Sequence, residues 1–437
     1  MDRHPAVIML GTWCLCAAAW LILPYQLLGR QLALEGVAML VVFIAAFTVG
    51  TLLVPAGRPV AANLRFPEID AGRALSLLAS ASAVATLCFL MDARGKSLFD
   101  LALAYEMRSE AADALLKGEA SSSSTWFQAG FLLYPAGFVY AAVHIIHARV
   151  LSYSRIALFG LLPIGLATLG MGGRVPIFYA MLVVWLSLRE RRKSRPATAP
   201  AGGASRPRGR WKMRFVWALA GGAMFAYFAT VFMIRAEVVG GARGMFDVAE
   251  ERWGVGFGGA LSPLLFGLLG ENLAYLVFVF AWYLVQGLVM SNIIFSEYDG
   301  PMQLGVYGLD LMSAVMRRVD PDGVALGFDA LMALGTYGFL PSAWGSLYVD
   351  LGLWGLLPAL LWGMFAAIAY RRIVVQGSSK WLVVGPFVTL GLVFSLINTP
   401  LGFTNGLVTH AWLLAAFMLL RRTAPQRAAV PAVPVSA

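Results

Sequence analysis

The chain has 437 residues, 59% hydrophobic and 13% charged, with a mean hydropathy of +0.75 and a formal net charge of +10. Soluble globular domains carry about a quarter charged residues and about half apolar ones, so this composition excludes a soluble enzyme, a disordered regulator and a fibrous protein. It predicts an all-α polytopic membrane protein, with room for about ten to twelve helices of about 20 apolar residues each.

Taken in order, a short polar start precedes an apolar run with no cleavage site of the small-residue kind, which reads as an uncleaved first span at 6–28. Further apolar runs predict spans at 32–54, 74–91 and 126–146. The apolar stretch 156–188 is too long for one helix in a bilayer of about 30 Å. It is interrupted by Gly-Met-Gly-Gly-Arg, Gly170 to Arg174, and reads as two short spans joined by a tight glycine turn. Spans at 215–234, 347–370, 381–397 and 407–420 complete a set of ten.

The charges give these spans a direction. With the N-terminus inside, the inner segments hold 22 of the 33 basic residues and four of the 23 acidic ones, so the inside carries +18 and the outside −8. Lys and Arg concentrate on the cytoplasmic flank of spans, and both termini are therefore expected in the cytoplasm. The net charge is a topology signal rather than the mark of a nucleic-acid partner. The basic loop 189–214, rich in Pro, Gly and Arg, reads as a flexible inner linker. The chain then divides into seven N-terminal spans over 1–234, an outer region at 235–346, three spans over 347–420 and a cytoplasmic tail at 421–437.

Two outer segments remain. In 92–125, Leu98, Leu101, Leu103, Ala104 and Met107 make one apolar stripe, the pattern of a helix lying on the outer leaflet. The region 235–346 contains an apolar run at 261–290, diluted by Glu271, Asn272, Trp282, Tyr283 and Gln286. An odd number of crossings there would invert the charge bias beyond it. Interfacial helices or a re-entrant pair are expected, and two extra spans, twelve in all, are the alternative.

Cys14, Cys16 and Cys88 lie inside apolar runs and make neither a metal pair nor a disulfide framework. His144 and His147 stand three apart without an accompanying Cys, Asp or Glu, so no metal is expected. No phosphate-binding glycine loop in strand–turn–helix context occurs, and no cofactor is expected.

Arginines on the outer side carry more information, because the inside-positive bias does not explain them. Arg174 follows the glycine turn, where a charge beside lipid must face a polar cavity or an anion, or else snorkel to the headgroups. Arg235 closes the seventh span, followed by Arg243 and Arg252. A guanidinium fork can hold two phosphate oxygens and keeps its charge, so these residues could grip a diphosphate. They could equally pair with Glu237, Asp247, Glu250 and Glu251. Trp253, Tyr283, Tyr337 and Trp344 belong to an aromatic set that suits sugar faces, or an interfacial belt. Among the outer acids, Asp299 and Asp350 are candidates for a general base.

In this layout the chain resembles the Wzy-type O-antigen polymerases, or oligosaccharide repeat unit polymerases. The segment GMGGRVPIFYAML is similar to that family's Gly-Ser-Arg turn, with Gly173 in place of Ser. The segment GTYGFLPSAWGSLYVDLGLWGLL is similar to its late outer-loop segment, with Asp350, Gly352 and Gly355 at the matching places. The large outer loop and the basic inner loop before the seventh span add to the likeness. The resemblance implies a GT-C-like architecture in the bacterial inner membrane and transfer of a growing glycan from undecaprenyl diphosphate to the next lipid-linked repeat unit on the periplasmic face. It implies Arg174, Arg235, Arg243 and Arg252 on the diphosphate, Trp253, Tyr283, Tyr337 and Trp344 on glycan, and Asp350 or Asp299 as base. It also implies membrane lipid, and a polysaccharide chain-length regulator, as partners. The rivals are an O-antigen ligase, whose outer-loop His has no counterpart in 235–346, and a flippase for lipid-linked oligosaccharide.

In a cysteine-free background, Ser122→Cys should react with a membrane-impermeant maleimide in intact spheroplasts, and Ala201→Cys only after permeabilisation. The reverse pattern would overturn the orientation.

Overall fold

The computed structural model describes residues 3–23, 25–55, 57, 66–94, 124–170, 173–194, 210–258, 261–336 and 340–423. The expected surface helix in 92–125, the centre of the basic linker, Tyr337 and the side chain of Arg252 lie outside what is described. Of the described residues 78% are helical, and no closed sheet occurs among them. Among the described residues eight helices are long and apolar enough to cross a membrane, or up to nine if a bent pair is counted as one.

Seven of the eight coincide with expected spans: Pro5–Ile22, Leu34–Leu52, Gly72–Asp92, Thr125–His147, Tyr153–Gly170, Ser342–Val375 and Ser379–Leu396. The bent pair, Gly221–Val238 and Gly241–Glu251, covers an eighth and turns by 76°. Val175–Ser194 forms as expected but ends in Arg191, Arg192 and Lys193, which lower its apolar character. Gly406–Leu419 also forms, yet at 14 residues it is short for a span.

The remaining long helical segment covers 261–290. Leu261–Glu297 is two helices that meet at a kink at Gly270 (φ 71°, ψ 167°), and 263–297 is long and apolar enough to cross a membrane. That backbone conformation is open essentially to glycine alone. From Glu271 onward the helix is about 40 Å long at roughly 1.5 Å per residue. It packs against the connection between the first two spans and against those spans themselves. Tyr25 Oη donates to the Phe278 carbonyl. Asn292 donates to Ala33 O at 2.8 Å and accepts from Ala33 N at 2.9 Å. Arg30 lies 3.8 Å from Glu297. Residues 278, 292 and 297 thus all meet the segment 25–33, while Phe295 stacks on Phe43 of the second span at a ring-centre distance of 5.4 Å.

Two short antiparallel ribbons mark the two ends. Tyr25–Leu27 pairs with Val255–Phe257, and Ile69–Asp70 with Arg421–Arg422. The second ribbon joins two segments that the charge count assigns to the inner side, and the first joins the end of the first expected span to the outer region. Arg149 Nε to Glu68 at 2.9 Å and Thr423 N to Glu68 O at 3.0 Å fall with the second ribbon.

The core depends on close helix contact. Leu34–Leu52 lies against Leu356–Tyr370, where a Cβ on Gly50 would collide with the Leu360 carbonyl and one on Gly363 with the Phe47 carbonyl. Beside this contact Phe43, Phe47 and Trp344 are fully buried. Gly363→Val should therefore lower stability by about 3 kcal/mol or more, because backbone cannot yield as a side chain can. Gly11→Ala, with nothing within 4 Å of the added methyl, should leave it unchanged or raise it by up to about 1 kcal/mol. Thermal unfolding in detergent checks the contrast.

Candidate functional site

Three stretches of chain, together with Leu340, line a cavity of about 400 Å³ at the end of the bundle marked by the first ribbon. The first is the glycine turn. Gly173 N donates to Thr168 O at 3.1 Å, Tyr227 Oη donates to Gly173 O at 2.9 Å, and Arg174 follows at the head of Val175–Ser194. The second is Arg210–Val238, which places Phe232 and Arg235 one turn apart on one face. Gly240 and Gly241, at φ 93° and 88°, then bend the chain by 76°, a pair of left-handed residues that only glycine adopts without strain. The following helix Gly241–Trp253 therefore turns across the end of the preceding one and presents Met245, Val248 and Trp253 to the same space. The third is Leu261–Glu297, whose Tyr275, Val279, Trp282, Tyr283 and Gln286 form a stripe at helical spacing.

Arg174 is the most unusual group in this site. It is 6% exposed. Its Nη2 donates to Tyr283 Oη at 2.8 Å, and its Cζ stands 3.6 Å above the centre of the Phe232 ring. It makes no ion pair with a described carboxylate, and Nη1 has no hydrogen-bond partner. The guanidinium on Phe232 is worth about 2 kcal/mol when desolvated. That is less than the several kcal/mol needed to bury a lone cation, a penalty that a negative charge in the cavity would relieve. Arg235 adds a second guanidinium to the wall, and Tyr227 lies within electrostatic reach of both. No carboxylate or histidine occurs among the described lining residues, and no described group of three His, Cys, Asp or Glu could hold a metal. The cavity thus offers donors in excess of acceptors, together with aromatic walls, and suits an acceptor-rich anion attached to a less polar body.

Four residues singled out from the sequence meet here: Arg174, Arg235, Trp253 and Tyr283. Tyr283, expected to face glycan, holds the Arg174 guanidinium instead. Others stand elsewhere. Arg243 points outward, its side chain 81% exposed and 3.9 Å from Glu271. Trp344 is fully buried against Phe43, Phe47 and Trp362, so its ring has no face to offer a sugar. Asp299 is exposed and does not line the cavity.

Asp350 also lies off the cavity. Its carboxylate accepts from Tyr307 N and Gly308 N, both at 2.9 Å, and its carbonyl accepts from Leu304 N at 2.9 Å. These bonds hold the turn 303–309, in which Leu304 and Gly305 take positive φ. Tyr298 donates to Pro301 O at 2.7 Å at the entry to that turn. Burial, helped by the charges of Asp350 and Asp299, pushes its phenol up to about 12, so it stays a donor throughout the physiological range.

Sequence reasoning passed over Phe232 and Gln286. The signal was present: Phe232 precedes Arg235 by three residues, and Gln286 ends a run at spacings of four, three, one and three from Tyr275. Read only as diluting an apolar segment, that run concealed a lined face.

Compared with protein-family models, curated proteins and solved structures, the chain matches none. Its chemistry is therefore argued from the cavity.

Asp350→Ala should destabilise the protein by about 1–3 kcal/mol or more, since it takes the acceptor from the buried Gly308 N–H and from the half-buried Tyr307 N–H. Arg174→Met should leave thermal unfolding in detergent unchanged or raised, because it removes a buried cation that has no counter-charge. A fall with Arg174→Met comparable to that with Asp350→Ala would assign Arg174 to the fold rather than to a ligand.

Proposed function

We propose that the chain is a Wzy-type polysaccharide polymerase of the bacterial inner membrane. It joins undecaprenyl-diphosphate-linked oligosaccharide repeat units into O-antigen or a related exported polysaccharide on the periplasmic face. The observation that carries this reading is the buried Arg174 guanidinium, without a described counter-ion, sharing a cavity with Arg235 and an aromatic wall. A lipid diphosphate linked to a sugar has the matching parts: phosphate oxygens for the donors and a ring for the flat side chains.

In the reaction, the bond from the anomeric carbon of the growing glycan to its diphosphate breaks. A bond forms from that carbon to a hydroxyl oxygen of the incoming unit, whose proton is released. The lipid diphosphate leaves with an added negative charge. Guanidiniums fixed beforehand in a low-dielectric cleft stabilise that charge as it develops, commonly worth about 10²–10³ in rate per donor. Arg174, held by Tyr283 and Phe232, needs no reorganisation to do so. Asp350, tied to the turn 303–309, and the exposed Asp299 are outside the lining, and neither is assigned as base. Arg243 is likewise left out of the diphosphate site, whereas Arg252 stays on the helix that covers it.

In a strain lacking the chromosomal copy, Arg174→Ala and Arg235→Ala should each leave single repeat units on the acceptor, with polymer down at least about 100-fold and normal protein in the membrane. Arg243→Ala should restore the full ladder. Complete polymer from both cavity variants would sink the reading, and loss of even the single unit would point to a ligase or a flippase.

A further inference from the structure

The cavity contains a second buried donor. Gln286 is 3% exposed, lines the cavity, and its Nε2 has no hydrogen-bond partner. It sits three residues after Tyr283, on the helix face that carries the phenol bonded to Arg174. The rest of that stripe, Tyr275, Val279, Trp282 and Tyr283, is aromatic or aliphatic. Apolar packing gives no reason for a carboxamide at its end. A buried N–H without an acceptor forfeits about 1–3 kcal/mol, which a methionine of similar volume would not. Retaining an amide here has a physical rationale if something entering the cavity accepts from it.

The accompanying groups say what that is. With Arg174 Nη1 also lacking a partner, two buried donors on separate elements wait in a space whose described lining has no carboxylate. A carboxylate at 286 would repel an anion, and a third cation would add to the charge already buried. A carboxamide donates without either effect. We propose that Gln286 is a further binding residue of this cavity, donating from Nε2 to a phosphate oxygen of the diphosphate whose charge rests on Arg174. The inference depends on the polymerase reading only for the identity of the lipid carrier. No bond is made or broken at Gln286, so its part is to hold and select the diphosphate.

The test uses the full-length protein in detergent with farnesyl diphosphate as probe and farnesol as control. The wild type should bind the diphosphate, and Arg174→Ala should not. Gln286→Met should weaken binding by about tenfold to a hundredfold, the worth of a hydrogen bond to a charged acceptor. Without ligand it should unfold at the same or a higher temperature. Gln286→Glu, nearly isosteric, removes the donor while keeping the shape, and should bind more weakly still. Wild-type affinity in both Gln286 variants, with Arg174→Ala inactive in binding, would overturn the role of Gln286 and leave the polymerase reading standing. A wild type that binds farnesyl diphosphate no better than farnesol would overturn both. A marked drop in unfolding temperature of ligand-free Gln286→Met would make the carboxamide structural and also overturn the inference.

Discussion

The structure turns on a charge that the protein itself does not neutralise. Arg174 is buried with one hydrogen bond to Tyr283 and its plane on Phe232, and no described carboxylate faces it. A side chain that could reach the interface would be expected to do so, but this one follows a short turn pinned by Thr168 and Tyr227. The turn removes the freedom that snorkelling needs. The ring of Phe232 and the phenol of Tyr283 then fix the guanidinium plane. The fold accepts an electrostatic penalty at one point, and the surrounding helices must be stable enough to carry it.

That stability comes from parts of the molecule that have no share in the cavity. The Gly50–Gly363 contact brings two helices close enough for backbone to meet backbone, and the aromatic cluster around Phe43, Phe47 and Trp344 fills the space beside it. Asp350 serves the same end by gathering the amides of 307 and 308 into one turn. Its burial and its acidic character resemble those of a catalytic group, yet its bonds are those of a structural one. The same test of partners separates Trp344, enclosed on every side, from Trp253, which faces the cavity.

Much of this was legible in the sequence, and the exceptions have physical causes. Long apolar runs specify helices because backbone groups in lipid must bond internally, and nearly every expected span has its helix. The turn carrying Arg174 was legible because three glycines interrupt an apolar stretch that no single helix could use. The path of Leu261–Glu297 was not. Its packing is set by long-range bonds to Tyr25, Arg30 and Ala33 that no local pattern reveals. The bend at Gly240 and Gly241 hid the cover of the cavity in the same way. Without that bend, Arg235, Arg243 and Arg252 read as one series, whereas the helix points Arg243 outward.

The position of the cavity at the end of the bundle has a consequence for how charge is handled. Deep among the spans, two guanidiniums would lack water even when empty, and their mutual repulsion would act in a medium of low dielectric. In open solvent the same pair would be screened, and its grip on a phosphate would fall to the small value of a surface ion pair. A pocket under the helix Gly241–Trp253, walled by Leu261–Glu297, lies between these limits. An anion entering beside Arg174 would meet its guanidinium in a medium of low dielectric, where the interaction is stronger than in water. Such a site favours a ligand that brings its own apolar portion, because the same surface that excludes water from the phosphates must be covered by the ligand's body.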